Sequence, residues 1–209
     1  MSKVFQFGED VEGFNIRVLN EREIRFLMML ISILTVIMKG DFTMLKYAVI
    51  IFLTDISVRV FVNPKYAPTL IIGRWIVRNQ VPEYVGAPQK KFAWIIGFVL
   101  AIAMFVLLVL VNSYSPITGL ICFVCLIFLF FETSFGICLG CKFYPLFFKD
   151  KVQYCPGEVC EIKDRHEIQK TRWLHLVVVL IFILFMVALY VLFGDFFNLK
   201  PFDLFGLEK

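Results

Sequence analysis

The chain has 209 residues, 60% of them apolar and 18% charged, with a mean hydropathy of +0.82 and a net charge of +4. A soluble domain of ordinary composition has about 45–50% apolar and about 25% charged residues, and a disordered chain combines low hydrophobicity with high net charge, so both are excluded. The apolar residues come in blocks about as long as a bilayer is thick, which is the pattern of a polytopic membrane protein.

The fold class expected is all-α, a polytopic membrane helical bundle of about five transmembrane helices. Residues 1–19 form a polar N-terminal arm with no apolar segment that could serve as a signal peptide. The first span, 20–38, opens where Asn20 and Glu23 have capping-box spacing. The second runs over 42–62 and ends at Asn63-Pro64, since a residue before proline leaves the helical region. The third covers 92–111. The fourth covers 116–136, opening on Ser115-Pro116 as cap and first helical residue. A loop over 145–172 carries two of the six cysteines, and 173–209 holds the fifth span, Trp173 to Phe193, and a tail. Gly194 reads as its C-cap. Thr69–Arg78 reads as a short interfacial helix.

An odd number of spans puts the termini on opposite sides. Of the 21 Lys and Arg, sixteen fall in the N-terminal segment through Arg25, the 63–91 loop and the 142–172 loop, against four on the other side (Lys39, Lys46, Lys200 and Lys209) and Arg59 within a span. The positive-inside rule makes the N-terminus cytoplasmic and the C-terminus outside. Trp75, Trp94 and Trp173 all fall at cytoplasmic span ends or loops, as an aromatic belt would place them.

Asp55 and Arg59 are four residues apart on one face of the second span, and Glu132 lies late in the fourth. Ionisable residues at such depth pair with each other or face a cavity. They form either a structural lock or a site for an ion, an anion or a proton. Their charges sum to −1, so a carboxyl is protonated or Lys90, Lys91 or Lys142 completes the cluster. Ala93, Gly97 and Ala101 recur every four residues, a spacing that lets helices approach closely.

Cys122 and Cys125 lie inside the fourth span, with Cys125 about 20° from Glu132 around the helix. They read as packing residues. Cys138 and Cys141 form a CxxC at the end of that span, and Cys155 and Cys160 flank a Pro-Gly turn thirteen residues on. Four thiols in one cytoplasmic stretch fit thiol–disulfide or persulfide exchange, or a tetrahedral zinc site with four cysteine ligands. Cytosolic conditions disfavour a stable structural disulfide. By this reading the CxxC follows a helix C-terminus, whose dipole opposes thiolate formation.

Three ordered stretches, Asn63–Thr69, Gly86–Trp94 and Glu132–Tyr144, resemble the bacterial membrane family known as domain of unknown function 4395 (DUF4395). The resemblance covers residues 12 to 144, and Cys138 and Cys141 match its CxxC. It carries no established activity. It implies the bacterial inner membrane, and a partner that is thioredoxin-like or rhodanese-like. Asn63, Gln89, Lys90, Glu132 and Lys142 would gather beside the CxxC in a cationic cytoplasmic vestibule. The function expected is thiol/disulfide or sulfane-sulfur handling, with Cys138 and Cys141 reactive, Cys155 and Cys160 resolving, and Cys122 and Cys125 extending the path inward. The partners are the lipid bilayer and that cytoplasmic protein, with no nucleic acid. Two rivals stand beside it: a transporter of a sulfur-containing anion, which needs a homo-oligomer, and a membrane scaffold holding Zn on the four cysteines.

Overall fold

A computed structural model describes residues 7–8, 10, 17–20, 22, 24, 42–80, 84–135, 138–148 and 172–204. Of the expected first span only Asn20, Arg22 and Ile24 are described, with the Arg22 N–H donating to Asn20 Oδ1 at 3.2 Å, and the Cys155/Cys160 pair lies outside the described residues. What is described is mostly helical, with two two-stranded ladders.

Strand β1 (Val18–Asn20) pairs antiparallel with β2 (Tyr84–Gly86). Helix α1 (Phe42–Ser57) continues into a π-helical turn, Val58–Val62, and stops at Asn63, whose backbone is extended. The Asn63 side chain then accepts the Lys65 N–H at 2.8 Å and starts a short turn over Pro64–Tyr66. Helix α2 (Pro68–Ile76) follows, with proline in its first turn.

Helix α3 (Ala87–Met104) runs on through a π-helical segment, Phe105–Leu110. It begins five residues earlier than the third span expected at 92. Pro88 supplies the preset φ of a helix start, so Gln89 and Lys90 belong to a helical first turn. Strand β3 (Ser113–Tyr114) precedes α4 (Pro116–Phe135). Ser115 and Thr118 bond reciprocally across the first turn of α4, with the Thr118 N–H donating to Ser115 Oγ and the Ser115 N–H to Thr118 Oγ1. Helix α5 (Leu139–Phe147), helix α6 (Trp173–Asn198) and β4 (Phe202–Asp203) complete the order.

Among the described residues two helices are long and apolar enough to cross a membrane, Ala87–Leu110 and Trp173–Asn198, and Pro116–Glu132 is a shorter apolar helix. The helix over 42–62 carries Lys46, Asp55 and Arg59, and all three are buried.

The α3 stripe of small residues acts as its spacing suggests. A Cβ on Gly97 would lie 3.0 Å from Ile56 of α1, and Ala93 lies against Gly140 of α5. Ile56, Val60, Ala67, Leu70, Trp94 and Ala101 form the main core.

Helix α6 extends past Gly194 to Asn198, with Leu199 as its C-cap, so the glycine stop expected from sequence does not occur. The reason lies on α1. The Lys46 ammonium, fully buried, donates to the Phe197 and Leu199 carbonyls at 3.2 and 2.7 Å. A cation there satisfies orphan carbonyls and complements the helix dipole. The start of α1, the β3 turn and the tail through β4 therefore share one end of the bundle, since Ser113 and Tyr114 pair with Phe202 and Asp203. The start of α6 is at the other end, where the His175 ring lies tilted 6.0 Å from that of Tyr66 and accepts the Arg172 N–H at 3.0 Å. Lys46→Met is expected to lower stability by about 2 kcal/mol, since both bonds are charge-assisted. A thermal unfolding curve in detergent measures it.

Candidate functional site

Two ion pairs organise the end of the bundle where α2 and α5 lie. In the first, Arg59 Nη2 meets Asp55 Oδ2, with side chains 1% and 2% exposed. The same Nη2 donates to Thr69 Oγ1 at 2.9 Å, and the Thr69 N–H donates to Asp55 Oδ1 at 2.9 Å. Thr69 lies in the first turn of α2, so Asp55 accepts an orphan helix donor from another helix. The Arg59 guanidinium also lies 5.2 Å above the Trp94 ring. Its charge is met by a carboxylate, a hydroxyl and an aromatic face. This is the geometry of a lock between α1, α2 and α3.

The second pair joins Lys90 of α3 to Glu132 of α4, Nζ to Oε1 at 2.6 Å. Of the three lysines that sequence offers Glu132, the structure brings Lys90. Lys142 is exposed, and the Lys91 ammonium lies 5.2 Å from the Phe7 ring. Asp55, Arg59 and Glu132 are thus divided between two ion pairs rather than sharing one.

Asn63, Gln89 and Lys90 are 6%, 3% and 1% exposed, so they do not line the open vestibule expected from sequence. Asn63 is spent on its turn, and Lys90 reaches inward to Glu132. Lys142 alone of that set faces outward.

The CxxC sits differently from its sequence reading. A new helix starts at Leu139, and Cys138 is its N-cap, with Sγ accepting the Cys141 N–H at 3.2 Å. The dipole argument therefore reverses. The pair stands at the positive end of a helix, where negative charge is favoured. Cys138 and Cys141 form a disulfide with Cα atoms 5.2 Å apart, and both residues are buried. While bonded to each other the two sulfurs have no thiolate to offer a zinc ion. No cluster of three or more metal-ligating residues occurs among the described residues.

Cys138, Cys122, Cys125 and Glu132 line one apolar cleft of about 130 Å³ between α1, α3, α4 and α5. The rest of its wall includes Phe52, Ile56, Trp94, Gly97 and Leu126. The helical angle that puts Cys125 beside Glu132 is thus used, and it brings the two cysteines of α4 to the same space as Cys138. Trp94, Thr69 and His175 are absent from the sequence-derived site. Trp94 reads from sequence as part of an aromatic belt, but it is buried in the core beneath the Arg59 guanidinium, and a threonine beside a proline carries no pattern that singles it out.

A family model described as Domain of unknown function (DUF4395) matches residues 19–149. The chain belongs to the DUF4395 family. The match spans β1 to α5, and so includes both ion pairs, the cleft and the CxxC of this DUF4395 chain. Helix α6 lies beyond it. No curated protein and no solved structure matches the chain.

Proposed function

We propose that this DUF4395 chain is an integral membrane thiol–disulfide protein whose working pair is Cys138 and Cys141. The observation that carries the reading is the disulfide at the N-terminus of α5. A CxxC in that position has a thiolate favoured by the helix dipole and a second thiol within bonding reach, which are the requirements of exchange. A partner dithiol gives two electrons and two protons to the Cys138–Cys141 disulfide and leaves oxidised, and the pair becomes a dithiol.

The partner proposed is a cytoplasmic thioredoxin- or rhodanese-like protein, with Cys155 and Cys160 as the resolving pair. The setting proposed is the bacterial inner membrane, crossed five times with the N-terminus inside. Support for the alternation comes from the ends of the helices. The beginning of α1, the turn before α4 and the tail after α6 meet at one end through Lys46 and the β3–β4 ladder. Asn63–Tyr66, α2 and the beginning of α6 meet at the other. Lys142 and Arg172 also belong to that second end, as the positive-inside rule requires of a cytoplasmic face.

The test is a redox titration of the full chain against glutathione, followed by maleimide labelling and mass analysis. The Cys138–Cys141 pair is expected to pass from oxidised to reduced within the range that glutathione buffers, and Cys138→Ser to remove the transition. A pair that stays in one state across that range sinks the reading. Elemental analysis of the same preparation tests the scaffold rival, for which one zinc per chain is required.

A further inference from the structure

A disulfide that is reduced from the cytoplasm must be oxidised again, and this chain offers no route across the bilayer by cysteines alone. The segments that the charge asymmetry assigns to the outer side, 39–41, 112–115 and 199–209, contain none. The cleft suggests where the electrons go instead. Cys138, not Cys141, is in its wall, together with Glu132 and the two thiols of α4. The remaining wall is aliphatic and aromatic. At about 130 Å³ it is close to the engineered cavity of about 150 Å³ that stays dry and holds benzene, which is room for one six-membered ring.

One polar feature breaks the apolar wall, the Glu132 carboxylate, held at 2.6 Å by the buried Lys90 ammonium. Trp94, 4% exposed, adds an aromatic side chain to the lining. The occupant that fits is therefore flat, about one ring in size, apolar over most of its surface with a polar edge for that ion pair, and able to oxidise a dithiol.

The geometry points to a lipid-soluble quinone as the electron acceptor of the Cys138–Cys141 dithiol, bound with its ring in this cleft. The inference rests on the thiol–disulfide reading above and names its oxidant. In the step, two S–H bonds break and one S–S bond forms. The dithiol is oxidised, the quinone is reduced to hydroquinone, and the two electrons and two protons of the thiols end on the two quinone oxygens. Cys138 is the sulfur next to the ring, Cys141 closes the disulfide, and the Lys90–Glu132 pair and Trp94 are positioning groups. An acceptor dissolved in the bilayer removes the need for a cysteine on the far side.

The experiment uses the full chain, reduced, freed of reductant and reconstituted in vesicles of phosphatidylethanolamine and phosphatidylglycerol. Decylubiquinone is added, and hydroquinone and disulfide are counted together. One hydroquinone is expected per disulfide formed, at a rate that saturates with quinone. Cys138→Ser is expected to abolish it. Leu126→Trp, which fills the cleft, is expected to slow it at least about tenfold, the smaller end of what a pocket misfit costs. If glutathione titrates the pair while decylubiquinone is reduced no faster than by Cys138→Ser, the quinone inference falls and the thiol reading stands. It falls too if the rate neither saturates nor responds to Leu126→Trp. If neither oxidant changes the pair, both readings fall.

Discussion

Replacing Arg59 by Ala is expected to be the most destabilising single change in the described part of the chain, at about 3–5 kcal/mol. The substitution leaves Asp55 1% exposed with its charge uncompensated. It also removes the donor to Thr69 and the cation above Trp94. The asymmetry of buried pairs gives a sharper form of the prediction. Breaking such a pair is costly because of the charge left behind, while replacing both partners with apolar groups of similar size is often close to neutral. Arg59→Met with Asp55→Leu should therefore recover most of the loss. The double variant still forfeits the carboxylate that accepts the Thr69 N–H, so recovery stops short by about 1 kcal/mol. Denaturant unfolding in detergent, run on both single variants and the double, measures the coupling. A single-variant loss below about 1 kcal/mol, the range of an exposed pair, would mean that the pair is not a lock.

The second large effect belongs to Gly140, between the two cysteines of the CxxC. A Cβ there would lie 2.7 Å from the Ala93 Cβ and 3.0 Å from its Cα, and backbone does not yield as a flexible side chain does. Gly140→Leu must push α5 away from α3. Overpacking of this kind costs about 1–3 kcal/mol. Spent on the docking of α5 alone, that multiplies the open population about 5- to 150-fold. After reduction, Cys138 and Cys141 in this variant should react with maleimide faster than in the parent by a comparable factor. The adjacent Lys142→Ala, at an exposed position, should stay within about 0.5 kcal/mol of the parent and leave the rate alone. Equal labelling rates for Gly140→Leu and its parent would show that α5 does not shield the pair.

How much of this was legible in the sequence depended on whether the signal was local. Asp55 and Arg59 are on one helix and four residues apart, so their pairing follows from helical pitch. The start of α4 follows from Ser115-Pro116. Glu132 found its lysine only in part, because the choice among Lys90, Lys91 and Lys142 depends on where α3 begins. Pro88 marked that beginning, but the words around it read as loop. The restart of the helix at Leu139 was not legible. Cysteine is not among the residues that usually cap a helix, and Pro145 sits inside the new one, where it forfeits a backbone bond. That one misplaced boundary inverted the electrostatics assigned to the CxxC. The extension of α6 past Gly194 was hidden for a different reason, since its cap is a lysine 151 residues away in the chain.

That long-range cap has a further consequence for α6. The helix is fastened at its two ends, by Lys46 and the β3–β4 ladder at one and by His175 against Tyr66 at the other. Between them Leu180, Ile181, Ile183 and Leu184 are each more than half exposed. A member pinned like a bowstring is constrained in length and free in detail. Sequence drift along its middle should be limited by oiliness alone, whereas inserting or deleting one residue there would rotate both fastenings out of register together.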